Sequence, residues 1–176
     1  MTEPKSITWT DYVIDLATRY ESLTEPIVFA LGFAESIVFV SLFVPSTILF
    51  LAIGGAHSAI GGSFVPVWLA GASGAIIGDI LSFAFGRYVK NTITNIWPLN
   101  KNLRWVAYAR LTVSRYGLTG VIAGKFLGMA RPFIPVIAGS MRMPWHKFLF
   151  ASTVSSLVWA GVFLAPGYGL TWFLAR

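Results

Sequence analysis

Residues 124–139 read Gly124-Lys125-Phe126-Leu127-Gly128-Met129-Ala130-Arg131-Pro132-Phe133-Ile134-Pro135-Val136-Ile137-Ala138-Gly139. Two cations and two prolines interrupt an otherwise apolar run. A proline inside a helix removes a hydrogen bond and clashes with the preceding turn. In lipid, the carbonyls it frees need other partners. A broken, charged apolar segment therefore belongs inside the protein or against a water-filled cavity. We read 117–140, which also holds Gly120, Gly124 and Gly128, as a re-entrant hairpin broken at Pro132, Pro135 and Gly139. Lys125 and Arg131 are six positions apart. At about 3.6 residues per turn they would lie on different faces of an unbroken helix. A break at Pro132 allows both to turn toward one cavity.

Three more apolar segments surround it. Segment 26–56 is too long for one crossing, is broken at Pro45 and ends in Gly54-Gly55; it reads as a second re-entrant hairpin. Segments 64–86 and 147–173 read as ordinary transmembrane helices. The first carries Gly71, Gly74 and Gly78, a small-residue spacing suited to close helix packing. Each half of the chain thus has one order: polar or amphipathic segment, broken hairpin, span. Pro66-Val67-Trp68 opens one span and Pro144-Trp145 the other; Gly86-Arg87-Tyr88 closes one and Gly167-Tyr168 the other. The expected fold is an all-α polytopic membrane protein, a single domain over 1–176, with two opposed re-entrant hairpins and an inverted repeat. Paired interrupted segments of this kind point to a transporter site near the bilayer midplane. Four helices with incidental prolines are the simpler reading.

Composition agrees with a membrane protein. Of 176 residues, 56% are apolar and only 11% charged, against about 25% charged in soluble domains. Mean hydropathy is +0.71. No charged residue occurs between Glu35 and Asp79, room for about two crossings of roughly 20 residues. The stretch 87–115 holds Arg87, Lys90, Lys101, Arg104, Arg110 and Arg115 and no acid. The positive-inside rule makes it cytoplasmic, where its bases meet anionic headgroups. Basic loops between apolar segments are topology signals, so no nucleic-acid partner is expected. No signal peptide is recognised in the first 25 residues. They read as an interfacial amphipathic segment, 1–25, with Ile7, Trp9, Tyr12, Val13, Leu16 and Tyr20 near helical spacing. The expected location is the bacterial inner membrane.

The chemistry lies in four charges within apolar sequence: Glu35, Asp79, Lys125 and Arg131. Each costs about 2.5–3.5 kcal/mol at the centre of an isolated membrane helix. Neither acid has a cation near it in sequence, so neutralisation must be tertiary. A structural salt-bridge network that docks the hairpins is one reading. The other is a binding site for a charged headgroup, or a proton relay. An arginine beside a helix break suits phosphate: its fork donates two hydrogen bonds and free backbone N–H groups add more. In this reading Arg131 and Lys125 bind phosphate, Glu35 and Asp79 balance charge and accept protons, and Ser41, Ser46 and Thr47 line the cavity.

These residues carry a resemblance. The run from Lys125 through Phe126, Arg131 and Pro135 to Gly139 resembles the second signature of the DedA family of membrane proteins, also called the VTT or SNARE-associated family. Glu35, followed by Pro45 and Gly54, resembles its first signature. Gly78-Asp79 through Gly86-Arg87 is similar to the segment between, and Phe148, Trp159, Gly167 and Tyr168 fit the closing span. The resemblance covers about residues 10–170. It implies two opposed hairpins and movement of lipid-linked phosphates, such as undecaprenyl phosphate, or of phospholipids between leaflets, coupled to ion gradients. By position, Glu35 corresponds to the hairpin acid and Lys125 and Arg131 to the two arginines. Three departures stand out. Thr47 occupies a position often acidic, Lys125 keeps charge without a bidentate fork, and the chain stops at Arg176, before the extra C-terminal helix of many members.

An enzyme is not expected. With no cysteine, thiolate chemistry is excluded, and the two histidines, His57 and His146, are too few for a clustered metal site. Lys125-x5-Arg131-Pro132 superficially resembles a lipid-phosphatase motif, but is one residue short and lacks the histidines that class requires. Ser46, Ser140, Ser155 and Ser156 lack the context of a nucleophile, and the tryptophans read as interfacial anchors. No metal or cofactor is expected. The expected partners are a phosphate-bearing lipid and protons or another coupling ion, with a homo-oligomer left open. A small-ion antiporter and a non-transporting structural membrane protein are the alternatives.

Overall fold

Apolar residues without a helix breaker run from Val67 past Arg87, and they form the longest uninterrupted element of the first half. In the computed structural model, which describes residues 21–41, 46–89 and 99–174, this is a helix of 26 residues, Phe64–Val89. Seven α-helices occur among the described residues: α1 Thr24–Ser36, α2 Val38–Ser41, α3 Ser46–Ala59, α4 Phe64–Val89, α5 Leu103–Gly124, α6 Phe133–Ser140 and α7 Trp145–Leu174. Of these, α4 and α7 are long and apolar enough to cross a membrane. They run antiparallel: Phe64 packs edge-on to Tyr168 at one end, and Phe83 stacks on Phe148 at the other.

Every other described helix packs against this pair. α1 lies parallel to α4, and the small residues foreseen at 71, 74 and 78 are what lets it approach. A Cβ at Gly78 would stand 2.7 Å from the Phe33 carbonyl oxygen, and one at Gly74 would overlap the Phe29 carbonyl. α3 packs on α7, with Gly54 against the Leu164 carbonyl and Gly167 against Leu51. In the second half, α5 packs on α7 and α6 on α4. There Gly86 lies on the Val136 carbonyl and Gly139 on the Phe83 carbonyl. Because backbone, not a flexible side chain, opposes Gly86, a side chain there cannot be accommodated by a rotamer change. Gly86→Val is expected to cost about 3 kcal/mol or more, read as a fall in the thermal unfolding midpoint in detergent.

The breaks differ from those expected. Segment 26–56 leaves the helical path at Ile37, whose backbone is extended (φ −94, ψ 119); Pro45 lies outside the described residues, as does most of segment 1–25. In segment 117–140, α5 ends at Gly124, a turn follows, and Gly128 takes a positive φ of 50. Pro132 caps α6, as a break should. Pro135 is not a break: it sits in the first turn of α6, where the missing N–H would have no intrahelical acceptor. Gly139 is not a break either; it lies within α6 and serves contact with α4.

One bend falls where the expected cytoplasmic stretch 87–115 meets the expected segment 117–140. Gly117 adopts φ 53 and ψ −120 inside α5. A Cβ at Gly120 would stand 2.5 Å from the Thr112 carbonyl oxygen, whereas eight residues of straight helix span about 12 Å. Residues 103–116 and 118–124 are therefore two limbs of an elbow. Nothing lies within 4 Å of a Cβ built at Gly117, so the demand there is purely conformational. Gly117→Ala is expected to cost about 1–3 kcal/mol without disturbing any contact, measurable by thermal unfolding.

Two apolar clusters result. One gathers Val28, Phe50, Val67 and Trp159 with neighbours from α1, α3, α4 and α7. The other gathers Phe83, Phe133, Ile137 and Phe148 with Leu99 and Val106. The buried charged residues Glu35, Asp79 and Lys125, with Ser152, Ser155 and Ser156, stand outside both.

Candidate functional site: two buried ion pairs

Asp79 sits near the middle of α4, on the helix face that carries Ser82, Phe83 and Gly86 inward. Lys125 is the first residue beyond α5 and is buried. Its Nζ lies 2.5 Å from Asp79 Oδ2 and donates to Ser156 Oγ at 2.6 Å. Ser152 Oγ donates to the same carboxylate oxygen at 2.8 Å. This pair links the end of α5 to both long helices. Its side chains are only 5% and 7% exposed, so each charge depends on the other.

Glu35 lies one residue before the end of α1, where the helix opens, and Arg131 just before α6. Arg131 Nη2 forms an ion pair with Glu35 Oε1 and also reaches the Glu35 carbonyl at 3.4 Å. The guanidinium lies over the Trp159 ring, 4.6 Å from its centre. Trp159 in turn meets Phe50 of α3 edge-on at 4.9 Å. Arg131 is therefore held from both α1 and α3, through Glu35 directly and through Trp159 and Phe50. Glu35 Oε2 is buried and accepts no hydrogen bond among the described residues.

A small cavity joins the two pairs. Asp79, Lys125, Arg131 and Ser155 line it with Val121, Ile134 and Pro135. Its volume is about 10 Å³, room for about one water. Both cations expected to bind phosphate meet here, each already matched with one of the two expected acids. Two acids face two bases, so the site is neutral as it stands. Ser155, which was not among the expected lining hydroxyls, lines the cavity, and Ser41 does not. The side chains of Ser46 and Thr47 lie outside the described residues. Pro135, displaced from its expected role as a break, is a wall of the cavity.

Sequence reasoning passed over α7. Ser152, Ser155, Ser156 and Trp159 recur at intervals of three and four, one stripe of the helix, and all four are buried. From sequence, Ser155 and Ser156 show only that they lack the context of a nucleophile, and Trp159 only that it fits the closing span. The legible signal was a polar stripe on an otherwise apolar membrane-length helix, which needs a polar neighbour.

The chain matches the VTT domain family over residues 44–169. It is 32% identical over 162 residues to a membrane protein of Buchnera aphidicola, covering 90% of this chain and 61% of the relative. It is 29% identical over 157 residues to the inner membrane protein YabI of Escherichia coli, covering 89% and 61%. A further 29% identity, over 146 residues, relates it to the inner membrane protein YghB of the same organism, covering 82% and 67%. The chain thus spans about three fifths of the length of the first relatives it matches. No solved structure matches it. With the family signatures at Glu35 and at Lys125 through Gly139 drawn together in one buried cluster, the chain belongs to the VTT domain, or DedA, family of inner-membrane proteins.

Proposed function

We propose that the protein translocates a phosphate-bearing lipid, an undecaprenyl phosphate or a phospholipid, between membrane leaflets, coupled to protons or another ion. The observation that carries this reading is the Arg131–Glu35 pair beside the Lys125–Asp79 pair. Two membrane-depth cations on one cavity suit a phosphate, and two carboxylates suit its absence.

Several features support the hairpin arrangement this requires. α1 and α3 have 13 and 14 residues, about 20 Å each, short of the roughly 30 Å hydrocarbon layer. α3 ends where α4 begins, with Ser58 and Tyr168 in contact. The first hairpin therefore leaves by the end at which it entered. α6 has 8 residues and is followed by Met143, whose carbonyl accepts from Arg87 at 2.9 Å, at the opposite end of the long pair. The packing is reciprocal, as an inverted repeat requires. α1 lies on the span of its own half and α3 on the other; α5 lies on α7 and α6 on α4.

The present cavity is too small for a phosphate, so binding needs the Arg131–Glu35 contact to open. A protonated Glu35 loses its hold on the guanidinium. A phosphate then takes the freed edge with two charge-assisted hydrogen bonds, and Lys125 adds a point charge. The test is reconstitution. Liposomes holding the purified protein are expected to move labelled undecaprenyl phosphate or phospholipid across the bilayer. Ion flux without lipid movement would favour an antiporter instead.

A further inference from the structure

We propose that Trp159 is a positioning residue for the anion site: its ring face holds the Arg131 guanidinium in place while that cation exchanges Glu35 for the lipid phosphate. This rests on the lipid-phosphate reading above. A guanidinium offers its N–H groups only in its plane, at the edges; its faces donate nothing. In the structure Glu35 engages the guanidinium through Nη2, and the guanidinium carbon lies over the Trp159 ring, 4.6 Å from its centre. A phosphate needs an edge. Exchange therefore displaces the carboxylate and leaves the tryptophan where it is.

The choice of residue supports a role for the ring. Trp159 is 1% exposed, and its Nε1–H finds no acceptor among the described residues. Burying an unsatisfied donor is unfavourable. A phenylalanine or leucine would fill an apolar pocket beside Phe50 and Leu164 without that penalty. What tryptophan supplies over both is the most electron-rich face, the strongest platform for a cation. That platform matters most when Arg131 has let go of one anion, has not yet met the next, and stands in a medium that penalises a lone charge. Phe50, edge-on to the same ring, fixes its tilt from the first hairpin.

The experiment inserts tryptophan analogues with one, two and three ring fluorines at position 159 alone. These keep the shape of the ring and progressively weaken its negative face. Translocation of a labelled phosphate lipid in liposomes and the thermal unfolding midpoint in detergent are followed, the latter also in an Arg131→Gln chain. Transport is expected to fall stepwise, by about tenfold across the series. The midpoint should fall with it in the Arg131 chain and stay flat with Arg131→Gln. Equal slopes in the two chains would make Trp159 a filler and overturn the proposal, as would transport indifferent to fluorine whatever the midpoint does. If the unsubstituted protein moves no phosphate lipid, yet its midpoint follows fluorine only when Arg131 is present, the transport reading fails while the Arg131–Trp159 pairing stands.

Discussion

Asp79→Leu is expected to cost about 3–5 kcal/mol, the largest stability loss of any single change to the site. It strands Lys125 as a buried charge with only Ser156 Oγ at hydrogen-bond distance among the described partners, and it orphans the Ser152 hydroxyl that donates to the same carboxylate. For a chain of this length that is about 10 °C or more in the unfolding midpoint. Adding Lys125→Met removes the stranded charge. Replacing a whole buried pair by apolar side chains is often neutral or stabilising, so the double variant is expected to recover most of the loss. It should nonetheless move no phosphate lipid, because one of the two cations is gone. A double variant that stays as unstable as Asp79→Leu would mean that Asp79 supports the fold through contacts other than Lys125.

The second large effect concerns transport. Arg131→Gln should lower translocation of a phosphate lipid by about a hundredfold or more, the effect of removing one partner of a buried charged contact. Arg131→Lys keeps the charge but offers a point donor in place of a fork and is expected to fall about tenfold. Rates are compared only between variants that elute as a single species and unfold cooperatively. A folded Arg131→Lys protein at the wild-type rate would show that charge suffices and that the fork is dispensable.

Much of the site was legible because charge inside an apolar run is costly and therefore informative. Glu35, Asp79, Lys125 and Arg131 were identified from that alone; in the structure the last three line one cavity and Glu35 pairs with Arg131 beside it. What the chain could not reveal was which acid meets which base. The partners lie 46 and 96 positions apart, and only the packing of α1 and α5 around the long pair decides between the alternatives. The prolines were read too uniformly. A proline breaks a helix from within but fits its first turn, so Pro132 and Pro135, three residues apart, do different things. Gly139 looked like a break and is a contact, because a glycine's use depends on what backbone lies opposite. The boundary at 117 was legible, but not the bend's form: an isolated glycine in a helical pattern is tolerated, and its positive φ is a property of the elbow. Ser152, Ser155 and Ser156 were undervalued because a serine on a membrane helix gains meaning only from the charge it faces.

The most direct test compares two lipids that differ only at the head: a labelled polyprenyl phosphate and its neutral polyprenyl alcohol, in liposomes with and without the purified protein. The two buried ion pairs predict protein-dependent movement of the phosphate, none above background for the alcohol, and loss of the phosphate signal in folded Arg131→Gln. Equal movement of both lipids, or a phosphate signal untouched by Arg131→Gln, would contradict the assignment of these charges to the cargo.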